Sequence, residues 1–221
     1  MRQIELELAG GGVLTVSLRA SLDAMPAVKQ RPLVLVVPGG GYNHVSPREG
    51  DPVALQFAAA GYHTAVLTYS VGEGAQNYRP LRQLNEALAL LRQNAGEWHI
   101  LPDKIAVCGF SAGGHLALSG AVLDIPGETA QQRPNAVILG YPVITAGEFA
   151  HRGSFVQLAG SEDAAAQQAF TLEDKVTSDT PPVFVWHTME DKTVPVENTL
   201  LLLAALRRAL SLIHISEPTR R

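Results

Sequence analysis

The sequence predicts one α/β domain: a mostly parallel sheet with helices on both faces. Short apolar runs at 33–38 (LVLVVP), 64–69 (TAVLTY), 104–109 (KIAVCG), 136–140 (AVILG) and 182–187 (PVFVWH) have the length of buried strands. Helical patterns lie between them, and that alternation implies crossover connections in a parallel sheet. At 221 residues, 46% hydrophobic and 17% charged, the chain has the size and balance of a globular domain with its own core.

In chain order, residues 3–8 and 13–19 alternate apolar and polar around Gly10-Gly11-Gly12, which predicts an antiparallel pair at the start. Asp51 as N-cap, Pro52 in the first turn and Gly61 as a stop predict a helix over 52–60. Leu81, Leu84, Leu88 and Leu91 share one helical face, giving a second helix near 79–97. A third follows Ser111 through HLALSGAVL, and a fourth begins after Pro195. The polar stretch 144–180 breaks the rhythm, with a short helical piece near 162–170. It reads equally as a lid over the site or as a surface connection.

A net charge of −4 without a basic run gives no electrostatic reason to expect nucleic acid; a small neutral or acyl substrate is easier to accommodate. No apolar run approaches the roughly 20 residues of a bilayer span, so no membrane association is expected. The charged start MRQIELELAGGG lacks a secretory h-region, and a cytoplasmic location is expected. The single Cys108, inside IAVCG, reads as a buried, inert thiol.

Three motifs carry chemistry. Gly109-Phe110-Ser111-Ala112-Gly113 fits G-x-S-x-G between a strand pattern and a helix pattern, the context in which a serine is lifted above a sheet as a nucleophile. Pro38-Gly39-Gly40-Gly41-Tyr42 ends a strand, where glycines let backbone N–H groups approach a substrate oxygen. The N–H groups of Gly40, Gly41 and Ala112 are the expected oxyanion donors. Asp191, just past PVFVWH, is placed to orient a histidine and follows the serine in the right order; Glu190 beside it is the competing acid.

Around these residues, PGGGY, SPREGDPVALQFAAAGYHTAVLTYSV, PDKIAVCGFSAGGHLAL and TSDTPPVFVWHTMEDKTVPVENTLLLLAALRR, the chain resembles a bacterial α/β-hydrolase family of acetylxylan esterase-like and other small-acyl carbohydrate esterases. The resemblance covers about residues 30 to 209. It implies the α/β-hydrolase fold and hydrolysis of small esters, often acetyl groups on sugars. A Ser-Asp-His triad would do this without metal or cofactor, with Ser111 as nucleophile and Asp191 as acid. A serine peptidase of the prolyl-oligopeptidase-like type is the second reading, although such enzymes usually carry a further domain. A non-catalytic binding module on a hydrolase scaffold is the third.

The histidine departs from the family pattern. His214 is the sole histidine after Asp191, and it lies inside the apolar stretch LSLIHI with no glycine beside it. Residues 210–220, LSLIHISEPTR, match codon for codon the translation of a transposase-type sequencing adapter. The expectation is therefore an α/β-hydrolase domain over 1–209 whose last strand, histidine loop and closing helix are absent, a non-native tail over 210–221, and little activity. His44, His115 and His187 fall near the motifs but read as packing or hydrogen-bonding residues. His151 can reach the site only if 144–180 folds over it, and His63 and His99 sit at element edges. The oligomeric state is not legible.

Overall fold

The computed structural model describes residues 1–20, 29–129, 131–210 and 213–216. Its strands are β1 (Arg2–Glu7), β2 (Val13–Leu18), β3 (Arg31–Val37), β4 (His63–Thr68), β5 (Ile100–Phe110), β6 (Ala136–Gly140), β7 (Val183–Trp186) and β8 (Ile213–Ser216). They form one sheet in the order β1-β2-β4-β3-β5-β6-β7-β8. The β1–β2 and β2–β4 pairs are antiparallel, and every pairing from β4 to β8 is parallel.

The helices are α1 (Asp51–Ala59), α2 (Arg79–Gln93), α3 (Ala112–Val122), α4 (Arg152–Ala159), α5 (Ala164–Gln168) and α6 (Glu197–Ala209). Alternation along the strands separates two cores. Leu33, Leu35, Val37, Ile105, Val107, Val137 and Leu139 join the core that also holds residues of α2, α3 and α6, such as Leu88, Leu116 and Leu202. Val34, Val36 and Cys108 point the other way and pack with Ala54 of α1. Helix α3 is buried from Ala112 to Ala121, which is why its sequence is apolar on every side. On α2, Leu81, Leu84, Leu88 and Leu91 are all buried, as the heptad-like spacing requires.

Several boundaries differ from expectation for local reasons. Gly50, rather than Asp51, caps α1, and Asp51 is its first residue. Helix α2 ends at Gln93 because Asn94 turns its side chain back onto the Leu90 carbonyl (2.8 Å) and the chain leaves through a turn. The expected absence of a last strand is corrected: 213–216 pairs in parallel with β7, from Val183↔Ile213 to Trp186↔Ser216. The alternation in LSLIHI suits the open parallel edge that β7 offers. The remainder of the expected tail, 211–212 and 217–221, lies outside the described residues.

The stretch 144–180 is neither a bare connection nor one short helix; it contains α4 and α5 and is fastened to the body. Phe155, Leu158, Phe170 and Leu172 enter the main core. Asn198 of α6 is fully buried. Its Oδ1 accepts from the N–H groups of Ile144 (2.8 Å) and Thr145 (3.1 Å), and its Nδ2 donates to the carbonyls of Phe149 (2.8 Å) and Pro195 (3.0 Å). One side chain thus satisfies backbone groups that would otherwise be buried without partners. Among the described residues, no helix is long and apolar enough to cross a membrane. Asn198→Ala strands two buried N–H groups and should lower the unfolding free energy by about 3 kcal/mol in urea titrations; a loss below about 1 kcal/mol contradicts this role.

Candidate active site

The site lies at the carboxyl ends of the parallel strands, where loops from separate strands converge. Ser111, between β5 and α3, has φ 52° and ψ −121°, a left-handed conformation that an L side chain adopts only when its surroundings impose it. The flanking glycines explain how. A Cβ at Gly113 would lie 2.1 Å from the Val37 carbonyl oxygen and 2.3 Å from that of Pro38, and one at Gly109 would lie 2.2 Å from the Gly113 oxygen. The elbow therefore closes only where two backbones touch. The Ser111 N–H is taken by the Gly140 carbonyl (3.0 Å), and the Ser111 carbonyl accepts from Val143 (3.1 Å). These bonds anchor the turn to β6.

A cavity of about 750 Å³ opens over the elbow, lined by Ser111, Gly40, Gly41 and Asp191 among others. The sequence-predicted nucleophile, two of its three expected donors and the expected acid thus share one cavity. Ala112, the third donor, is buried as the first residue of α3. Gly40 has φ 126°, and its carbonyl accepts from Asn43 (3.0 Å) and His44 (3.2 Å), so the loop curls tightly over its own backbone. Glu190 is exposed and outside the cavity lining, whereas Asp191 is part of it. Asp191 Oδ1 accepts from the N–H groups of Thr193 (2.8 Å) and Val194 (3.0 Å). Among the described residues Oδ2 takes no hydrogen bond, and it lies 3.7 Å from His187 Nε2.

The histidines separate by environment. His187 is buried, and burial holds its pKa below the usual value. Its Nε2–H donates to the Val194 carbonyl (3.0 Å) and its Nδ1 accepts from the Thr199 hydroxyl (2.7 Å), so it braces the acid loop as a neutral ring. His115 is buried on α3, with Nε2–H donating to the Phe170 carbonyl (2.8 Å) and Nδ1 accepting from the Tyr42 hydroxyl (2.8 Å). Burial pushes its pKa down to about 4. It ties the glycine loop and the 144–180 segment to α3, and it does not line the cavity. His44 and His151 do line it, His151 with Nδ1 2.9 Å from the Ser154 hydroxyl, so 144–180 does fold over the mouth. His63 is buried with Nδ1 accepting from Arg19 N–H (3.1 Å). His214 pairs with Phe184 in mid-strand. Cys108 is buried, and desolvation pushes its thiol up to about 12, which makes it inert.

Two cavity residues escaped sequence reading. Glu49 accepts from the Gly39 N–H (Oε2, 2.7 Å) and from the Tyr141 hydroxyl (Oε1, 2.8 Å). Tyr141 follows β6, stacks edge-on against Trp186 and donates its N–H to the Trp186 carbonyl (2.7 Å). Among the described residues, no group of His, Cys, Asp and Glu is arranged to hold a metal ion.

The family model described as BD-FAE matches residues 23–140. Endo-1,4-beta-xylanase B from Butyrivibrio fibrisolvens is 37% identical over 194 residues, covering 80% of this chain and 30% of that protein. Acetylxylan esterase from Xylanibacter ruminicola is 31% identical over 183 residues, covering 80% of this chain and 37% of that protein. The chain thus spans about a third of the length of each of these relatives. An acetyl ester-xyloside bifunctional hydrolase from Caldicellulosiruptor lactoaceticus superposes with a TM-score of 0.83 at 35% identity, over 96% of this chain and 78% of that one.

His115 makes stability depend on pH. Unfolded it titrates near 6.5 and folded near 4, so the unfolded state binds the extra proton as pH falls. Its stabilising contribution is complete above 6.5 and is lost toward pH 4, roughly 3 kcal/mol over the window. Urea midpoints from pH 8 to 4.5 should fall accordingly, with a shallower slope in His115→Gln; an unchanged slope contradicts the assignment.

Proposed function

Since the chain belongs to the BD-FAE family and has the α/β-hydrolase fold, we propose that it is a serine carboxylic-ester hydrolase for small acyl groups, acetyl foremost, carried on sugars or xylan-type oligosaccharides. The observation that carries this reading is the Ser111 elbow opening into the cavity that Gly40, Gly41 and Asp191 also line. Ser111 Oγ attacks the ester carbonyl as a histidine takes its proton, and the N–H groups of Gly40, Gly41 and Ala112 hold the tetrahedral oxyanion. The histidine then protonates the departing alcohol, and water releases the acyl group by the reverse sequence. Asp191, with Oδ1 fixed by two backbone N–H groups, offers Oδ2 to orient that histidine.

The cavity favours a polar alcohol. Asn43, His44, Arg48, Gln157 and Thr193 line it, a set suited to hydroxyl groups rather than to a long alkyl chain. The relatives whose names mention xylan and acetyl esters support the same choice. No cofactor or metal takes part in this scheme.

The base is proposed to be a histidine outside residues 1–209, with 210–221 an adapter-encoded tail. His115 and His187 already spend their ring nitrogens on structural hydrogen bonds, and the backbone of His214 sits at the register of Phe184, short of the carboxyl end of β7. On p-nitrophenyl esters, acetate should be cleaved fastest, butyrate more slowly and octanoate near background, with no cleavage of peptide amides. In the protein carrying its native carboxyl-terminal sequence, Ser111→Ala should remove the catalysed rate, and Asp191→Asn should lower it by up to about 10⁴-fold. Peptide cleavage, or ester turnover that survives Ser111→Ala, contradicts the proposal.

A further inference from the structure

The glycine loop must hold its N–H groups still relative to Ser111; Tyr42 anchors its far end to His115, but Gly39, Gly40 and Gly41 carry no side chains with which to do so. Glu49 supplies the hold from outside. Its carboxylate is half-buried in the cavity wall and spans two elements, accepting from the Gly39 N–H at 2.7 Å and from the Tyr141 hydroxyl at 2.8 Å. Gly39 is packed so closely that a Cβ there would lie 2.6 Å from the Phe110 carbonyl oxygen and 3.0 Å from Ser111 Cβ, so the loop touches the elbow at this residue. Tyr141 follows Gly140, whose carbonyl holds the Ser111 N–H, and Tyr141 itself donates its N–H to Trp186, the last residue of the strand leading to Asp191. Burial and the Glu49 hydrogen bond raise the Tyr141 hydroxyl well above its ordinary pKa, so it stays a donor.

We propose that Glu49 is a positioning residue: bridging Gly39 to Tyr141, it locks the oxyanion loop to the strands that carry Ser111 and Asp191. This rests on the esterase reading. The negative charge is compatible with a nearby oxyanion because each carboxylate oxygen is engaged by a donor, one by the Gly39 N–H and the other by the Tyr141 hydroxyl. Losing the bridge leaves Gly39 N–H without its acceptor and frees the Gly40 and Gly41 donors to drift, and a misplacement of about 1 Å costs roughly 10²-fold in such sites.

The test compares the parent with Glu49→Ala, Glu49→Gln and Ser111→Ala. Backbone hydrogen exchange of 39–46 is followed by mass spectrometry, and p-nitrophenyl acetate kinetics are recorded on the full chain and on the enzyme with its native carboxyl-terminal sequence. Glu49→Ala should speed exchange in 39–46 by about tenfold, with β3 and α3 unchanged. It should also lower kcat by roughly 10- to 100-fold with KM within about threefold. Glu49→Gln should restore both, because the amide oxygen can accept from Gly39 while its NH₂ turns to the Tyr141 oxygen. Parent-like exchange in Glu49→Ala overturns the proposal. So does a kcat loss in Glu49→Gln equal to that in Glu49→Ala, which would assign the effect to charge, or a rise in KM alone, which would make Glu49 a substrate contact. If Ser111→Ala turns over like the parent, the esterase reading has failed, and the exchange data still report whether Glu49 holds the loop.

Discussion

Backbone touching backbone at the elbow is the constraint on which the rest of the site depends. The first turn of α3 presses against the end of β3 with no room for a Cβ at Gly113. That contact makes a left-handed Ser111 tolerable, since the strain at one residue is held by the packing of two elements in the main core. It also brings the glycine loop within reach, because the same strand continues into Gly39-Gly40-Gly41. Replacing Gly113 by any residue with a side chain would separate β3 from α3 before it altered any polar group in the cavity.

Around that contact, the loops are fixed by a few polar side chains that each serve several backbone groups. Asn198 closes three hydrogen bonds between α6 and the start of the 144–180 segment, and a fourth to Pro195 at the head of its own helix. His115 joins Tyr42 of the glycine loop to Phe170 at the far end of the same segment. His187 steadies the turn that presents Asp191. Each is buried with its hydrogen bonds met, which lets these loops be irregular and still rigid. The cap over the cavity is thus built into the core rather than laid on it, and it brings His151 and Gln157 to the mouth.

The parts of this arrangement that are local in sequence could be read from the sequence. The strands announce themselves by short apolar runs, α2 by its leucine spacing, and the elbow by glycines whose steric reason lies within a few residues. Ser111, Gly40, Gly41 and Asp191 converge in the structure as expected, since strand ends of a parallel sheet share one edge. What escaped reading depends on distant partners. Glu49 meets Tyr141 across 92 positions of sequence, α4 has no cap signal beyond His151, and β8 forms because β7 leaves an edge that an alternating segment can fill, whatever its origin. His115 and His187 are the packing or hydrogen-bonding residues that the sequence suggests, but the partners of their rings, Tyr42, Phe170, Val194 and Thr199, were not legible in it.

The central proposal is that Ser111, the glycine loop and Asp191 form an esterase site whose base is a histidine outside these 221 residues, in the native sequence that 210–221 replaces. Its most direct test is turnover of p-nitrophenyl acetate by the 221-residue chain beside the same domain continued from 210 with its native sequence. The account predicts that the native continuation raises Ser111-dependent kcat by about 10⁶, the scale of losing a catalytic histidine in a serine hydrolase. Equal turnover by the two proteins, abolished in the 221-residue chain by His214→Ala or His151→Ala, would contradict it.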